Sequence, residues 1–307
     1  MKKRILGRTG LEVGELSLGA AFITGGEEGF DGALPVVRRA LELGMNLADT
    51  SADYGDSEKA LGHALRAGGA GRRRHEIGKP CIVSTKLGPR HGKPFDPKDK
   101  ACLRRIAEES LQLLHRDVID ILMIHEPDRP RQFDWYNDGV SFEGPVVELL
   151  QELKQEGLIK YTGLGGTTAY ALARIMATGQ YDVVLTAFNS SPLWREAMIA
   201  VLPEARKQDL APLAMKTLGG NAKPIKDGLV TSEECLRYAL SLPVTTVVSG
   251  IDTMEWLQKN ARVAATFKPL SPSEMAELEQ RCSSKRQYEY YRRWAYYDGR
   301  PPGARYA

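Results

Sequence analysis

Four side chains in the first half of this chain have the types and spacing to do chemistry together: Asp49, Tyr54, Lys86 and His125. The first two share the run Asp49-Thr50-Ser51-Ala52-Asp53-Tyr54-Gly55. Lys86 follows the β-rich stretch Cys81-Ile82-Val83-Ser84-Thr85, and His125 opens His125-Glu126-Pro127-Asp128. A carbonyl accepting hydride develops negative charge on oxygen and needs a proton from a group poised near neutrality. A free tyrosine, with a pKa of about 10, is a poor acid at pH 7. A neighbouring ammonium stabilises the phenolate and lowers that pKa, and a carboxylate holds the ammonium in place. A histidine beside the phenol orients the carbonyl or relays the proton. Singly, each has an ordinary structural use: Asp49 as a turn cap, Lys86 at the surface, Tyr54 and His125 in packing. Lys86 could also form a Schiff base in an unrelated lyase or isomerase.

What must position these groups is an alternation of strands and helices. Two short apolar runs around Thr9-Gly10 predict an N-terminal hairpin over 4–13. Strands are predicted at 16–19, 45–48, 81–85, 118–124, 159–164, 183–187, 210–215 and 245–248. Between them, helical periodicity falls at 34–43, 57–65, 103–114, 146–153, 169–176, 195–207, 232–240 and 253–263, with a further helix at 271–281. Eight strand-then-helix units in about 250 residues argue for an α/β fold closed into a (β/α)8 TIM-type barrel, here with a short N-terminal β-hairpin and a C-terminal helix and tail. An open doubly wound sheet is the alternative, and no GxGxxG follows the first strand to support it. The chain reads as one domain over 1–307, with the tail 285–307 outside the barrel. In such a barrel reactive residues sit at the C-terminal ends of strands, which is where the four fall.

Composition narrows the partners. With 307 residues, 42% hydrophobic, 26% charged and a net charge of +3, the chain has ample core and no field suited to nucleic acid or a membrane surface. The basic run Arg72-Arg73-Arg74-His75 lies among glycines and reads as a solvated loop. Met1-Lys2-Lys3-Arg4 lacks the apolar stretch of a signal peptide, and no window is long enough to span a bilayer. Cys81, Cys102, Cys235 and Cys282 form no CxxC pair, so neither a disulfide framework nor a cysteine metal site is expected, and a cytoplasmic location fits.

The motifs resemble those of the aldo-keto reductase superfamily. Carrying the likeness are Asn46-Leu47-Ala48-Asp49-Thr50-Ser51-Ala52-Asp53-Tyr54-Gly55-Asp56-Ser57-Glu58 with Leu61-Gly62, then Ser84-Thr85-Lys86, and Asp117-Val118-Ile119-Asp120 leading to His125-Glu126-Pro127-Asp128. Leu6-Gly7-Arg8-Thr9-Gly10-Leu11 and Gly157-Leu158-Ile159-Lys160-Tyr161-Thr162-Gly163 are also similar. The resemblance runs from about residue 3 to 281. It implies an oxidoreductase that moves hydride between NADP or NAD and an aldehyde, ketone, alcohol or sugar, with no metal. By the same resemblance Tyr54 is the general acid in reduction and base in oxidation, Lys86 and Asp49 tune it, and His125 orients the substrate.

The cofactor is expected at the late strand ends, where a barrel holds phosphates: Met215, Lys216, Leu218 and Gly219, then Ser249 and Gly250, with Asn260 at the family's adenine position. Several family residues are replaced. Gly166 and Thr167 stand where a Ser-Asn pair holds the carboxamide, and the usual Gln falls near Leu185. Met215 replaces the stacking aromatic, and the two cations that grip a 2′-phosphate fall near Ser249 and Trp256. NADP is favoured on family tendency, and Lys216, Lys223 or Lys259 are the cations that could stand in.

Trp135 and Tyr136, in the long connection after the fourth strand, are expected at the substrate. Asp53, Glu58 and Asp120 are expected to be structural, and His63 and His91 solvated. The aromatic tail, with Tyr288, Tyr290, Tyr291, Trp294, Tyr296 and Tyr297, is expected to cover the mouth or to dock on a second subunit of a homo-oligomer. The other functional class open to the sequence is a cofactor-binding regulatory or sensing barrel with little turnover.

Overall fold

The computed structural model describes residues 1–25, 29–66, 81–90, 92–130, 132–191 and 194–283. The basic run at 72–75, His91 and the aromatic tail at 285–307 lie outside the described residues. An antiparallel hairpin opens the chain, β1 (Lys3–Ile5) against β2 (Glu12–Gly14). Eight parallel strands follow: β3 (Leu16–Gly19), β4 (Leu47–Asp49), β5 (Ile82–Leu87), β6 (Ile119–His125), β7 (Ile159–Gly165), β8 (Val183–Ala187), β9 (Ala211–Met215) and β10 (Thr246–Gly250). They hydrogen-bond in chain order, and β10 pairs with β3 to close the barrel. Closure is fastened by the buried Ser17 and Thr246 hydroxyls, 2.7 Å apart.

The connections carry α1 (Ala33–Glu42), α2 (Ser57–Arg66), α3 (Lys100–Leu113), α4 (Pro145–Gln155), α5 (Ala169–Met176), α6 (Leu202–Gln208), α7 (Lys223–Lys226), α8 (Ser232–Ser241) and α9 (Met254–Thr266). A last helix, α10 (Pro272–Arg281), follows the barrel behind a Ser271–Glu274 capping box. No described helix is long and apolar enough to cross a membrane.

The apolar core has two layers, because each strand is covered on both faces. Inside the barrel Leu47, Ile121, Met123, Val183, Leu185, Leu213 and Val248 pack together with Leu6 and Val13 from the hairpin region. The hairpin thus plugs the N-terminal end of the barrel, and Arg8 ties it down through Asp182 (2.9 Å) and the Tyr181 carbonyl (2.6 Å). Between strands and helices lies a larger apolar shell to which every helix from α1 to α6 contributes.

Two local features differ from the sequence expectation. The helix predicted over 195–207 begins as a π-turn, Ala197–Val201, before α6. Pro203 stands in the first turn of α6 and has no N–H for the preceding carbonyls, which favours a widened turn there. The one-turn α7 was not foreseen. It follows four residues in the left-handed region, Gly219, Gly220, Asn221 and Ala222.

Candidate active site

Asp49 is the last residue of β4, Lys86 the fifth of six in β5, and His125 the last of β6. Three of the four reactive groups therefore sit on strands, not in the loops that follow them. Parallel pairing aligns Asp49 with Ser84, two residues before Lys86 and on the same face of β5. Ser84 Oγ donates to Asp49 Oδ1 at 2.9 Å, and Lys86 Nζ donates to Asp49 Oδ2 at 2.7 Å and to the Thr50 carbonyl at 2.6 Å. Lys86 is 1% exposed. Burial alone would lower its pKa, but the Asp49 carboxylate and the Tyr54 phenol overcome this and hold it above its ordinary value.

Tyr54 is brought in by the loop between β4 and α2. That loop is fixed where it enters α2: Ser57 Oγ donates to the Ala20 carbonyl at 2.6 Å and meets Thr50 Oγ1 at 2.7 Å. Lys86 Nζ lies 4.8 Å from the Tyr54 ring centroid. The tyrosine ring meets His125 edge-on, with centroids 5.6 Å apart and planes at 85°. All four sequence-selected groups thus converge. In one respect the electrostatics differ from expectation. Burial raises the Tyr54 pKa more than the Lys86 ammonium lowers it, and Asp49 and Glu126 add to the rise. The phenol is therefore a firmly protonated donor at neutral pH, and the ammonium's effect is to limit the rise. His125 is pushed down to about 3, by burial first and then by Lys86, Lys216 and Arg129, so its ring is neutral.

Trp135 and Tyr136 are both buried. Trp135 Nε1 donates to the His125 carbonyl at 3.0 Å, and its ring packs edge-on against Phe95 and at a tilt against Phe133. Tyr136 OH meets Tyr181 OH at 3.3 Å. Their contacts are with the protein, and Trp135 reaches the site through the backbone of His125. Glu58 and Asp120 are structural, as expected. Glu58 accepts from Thr85 at 2.6 Å and pairs with the buried Arg90 at 2.6 Å, while Asp120 accepts from the Val83 N–H at 3.0 Å and pairs with Lys160 at 2.6 Å. Asp53 is placed nearer the chemistry than expected, with Oδ2 3.8 Å from His125 Nδ1.

At the mouth, Lys216 takes a left-handed conformation (φ 52°) directly after Met215 ends β9. Leu218 and Lys216 are half-buried, and Gly219 (φ 78°) and Gly220 (φ 61°) open the backbone of the same loop. Asn260 Nδ2 donates to Ser249 Oγ at 3.1 Å, joining α9 to the end of β10 beside Gly250. A Cβ on Gly166 would meet the Asp128 carboxylate. Thr167 Oγ1 is held by Arg129, and Asp128 Oδ2 accepts from the Thr167 and Thr168 N–H groups at the start of α5. The position whose Cβ would touch the Lys86 side chain, at 3.3 Å, is Gly165.

Comparison with known proteins follows the same lines. The profile of the Aldo/keto reductase family matches residues 15–224. The chain belongs to this family. It is 28% identical over 320 residues to the uncharacterized oxidoreductase YqkF of Bacillus subtilis, covering 91% of this chain and 96% of that protein. It is 32% identical over 242 residues to L-galactose dehydrogenase of Arabidopsis thaliana, covering 75% and 67%. Among solved structures, an aldo-keto reductase from Klebsiella pneumoniae in complex with NADPH superposes with a TM-score of 0.70 at 17% identity, covering 94% and 98%. Family membership makes the chain an oxidoreductase of NAD(P)-dependent type.

Sequence reasoning passed over two groups that the structure places at this site. Ser84 completes the ligand set of Asp49, and Ser51 Oγ lies 3.3 Å from His125 Nδ1. The first was within reach of the sequence, since i and i+2 share a strand face. The second depends on a loop path that no period encodes.

Proposed function

We propose that this chain reduces a small aldehyde, ketone or sugar carbonyl, or oxidises the corresponding alcohol, with NADP(H) or NAD(H). The observation that carries the proposal is the buried Lys86 held by Asp49 at 2.7 Å and lying 4.8 Å from the Tyr54 ring, with His125 against that ring's edge. The bound nicotinamide supplies or accepts the hydride. Tyr54 gives its proton to the carbonyl oxygen in reduction and takes it back in oxidation. Lys86 stabilises the phenolate left behind, and its burial makes that interaction strong. Asp49, Ser84 and the Thr50 carbonyl fix the ammonium so that no reorganisation is needed as charge develops. Neutral His125 orients the carbonyl oxygen by hydrogen bonding.

The residues at the mouth fit a dinucleotide. Met215, Lys216, Leu218 and Gly219 on one loop and Ser249, Gly250 and Asn260 on the next would hold it, with Gly166 and Thr167 just past the end of β7. Glycines with positive φ allow close backbone approach, and the first turn of α9 offers N–H groups to phosphate. Of the three cations that could meet a 2′-phosphate, Lys223 pairs with Asp227, whereas Lys259 lies over the exposed Trp256 ring at 4.8 Å on the same helix as Asn260. The likeness to the NADPH complex from Klebsiella pneumoniae supports NADP(H), and the likeness to a protein named L-galactose dehydrogenase supports including a sugar among the substrates. The test is fluorescence titration with NADPH and NADH, followed by absorbance assays of the reduced cofactor with a panel of aldehydes, ketones and sugars. Binding with turnover is expected. Binding without turnover on any substrate would mark a sensing barrel, and no binding would end the proposal.

A further inference from the structure

We propose that Ser51 is a positioning residue that fixes the tautomer of His125, placing the ring's single proton on Nε2. The inference deepens the functional proposal above and rests on it only for the role of His125 toward substrate. A neutral imidazole carries one N–H, and which nitrogen bears it is set by the partner of the other. Ser51 is fully buried, and among the described residues the hydrogen-bond partners of its Oγ are the Asp53 N–H, which donates to it at 3.2 Å, and His125 Nδ1 at 3.3 Å. With the Asp53 N–H already donating, the Ser51 proton has one acceptor at hand, and that is Nδ1. Were Nδ1 protonated, two donors would face each other, or the buried hydroxyl proton would be left without an acceptor, a costly arrangement. Gly88 lies beside the same edge, where an added Cβ would come to 3.2 Å from Nδ1.

Asp53 is the competing influence. Its Oδ2 lies 3.8 Å from Nδ1, too far for a hydrogen bond, and its side chain is 41% exposed and solvated. While Ser51 is present, the hydroxyl outcompetes the carboxylate. Nδ1 then accepts, and Nε2–H is the donor for a carbonyl oxygen that gains charge. Without Ser51, the carboxylate draws the proton to Nδ1 and leaves a lone pair on Nε2, which repels that oxygen.

The experiment is two-bond 1H–15N correlation of the histidine rings, which identifies the protonated nitrogen without any turnover, with the His125 signals assigned by their loss in His125→Gln. Nε2–H is expected in the wild type and in Ser51→Thr, which keeps the hydroxyl, and Nδ1–H in Ser51→Ala. In carbonyl reduction Ser51→Ala should lose about 100-fold in kcat with little change in cofactor affinity. Ser51→Thr should restore it, and adding Asp53→Asn to Ser51→Ala should recover part of it. Nδ1–H in the wild type, or Nε2–H retained in Ser51→Ala, would overturn the proposal. The predicted tautomers in a protein that reduces no carbonyl would leave Ser51 in this role and refute the functional proposal instead.

Discussion

An ammonium as buried as Lys86 is tolerated only because three oxygens surround it, the Asp49 carboxylate and Thr50 carbonyl by direct hydrogen bonds and the Tyr54 phenol close by. Removing the cation leaves the carboxylate unpaired. Lys86→Met should therefore cost about 3–5 kcal/mol in urea unfolding, and Lys86→Met with Asp49→Asn should recover most of it. Recovery would show that the cost lies in the stranded charge and not in lost packing. His125 gives a second prediction. Its pKa falls from 6.5 in the unfolded chain to about 3 in the fold, so the unfolded state binds more protons throughout that window. Stability is complete above 6.5 and is lost as pH falls toward 3, by up to about 1.4 kcal/mol per unit. Unfolding of His125→Gln should show a shallower acid dependence. Catalysis follows Tyr54 instead: reduction should stay level through neutral pH and fall only in alkali, because burial raises the phenol's pKa. These residues were legible because each lies at or beside a strand end and the four make chemical sense together. Ser51 was not, since a serine in a turn has many commoner uses.

The elements were legible wherever burial imposed a period. Among the described residues, all eight barrel strands and nine of the ten α-helices were foreseen, with ends displaced by a few residues. The exceptions have local causes. A one-turn helix is too short to show a period, and nothing in Lys216-Thr217-Leu218 announces a positive φ, although Gly219-Gly220-Asn221 do. The Leu61-Gly62 pair shows how a sequence motif becomes a packing constraint. A Cβ on Gly62 would stand 2.1 Å from the Leu113 carbonyl at the end of α3, so the glycine sets how closely α2 and α3 approach. Gly62→Ala must push them apart, and should cost about 2 kcal/mol or more in thermal or urea unfolding. That shift would also move the loop carrying Tyr54, so activity should fall alongside stability.

For the whole molecule, closure does two jobs. It removes sheet edges, and it aims strands distant in sequence at one mouth. The opposite mouth is sealed by the hairpin, where Leu6 and Val13 are fully buried in the barrel interior. Deleting residues 1–14 should uncover that interior at a cost of several kcal/mol, about 1.5–3 for each of the two side chains. Reduced unfolding stability and binding of a hydrophobic dye would report it. The eightfold alternation made the barrel legible, whereas the substrate's shape stays in loops whose paths the sequence does not state. The most direct test of the central claim is Tyr54→Phe, which keeps the ring and removes only the proton to be transferred. Nucleotide titration should be unchanged while carbonyl reduction falls by at least about 100-fold. A variant that binds nucleotide and turns over like the wild type would contradict the account.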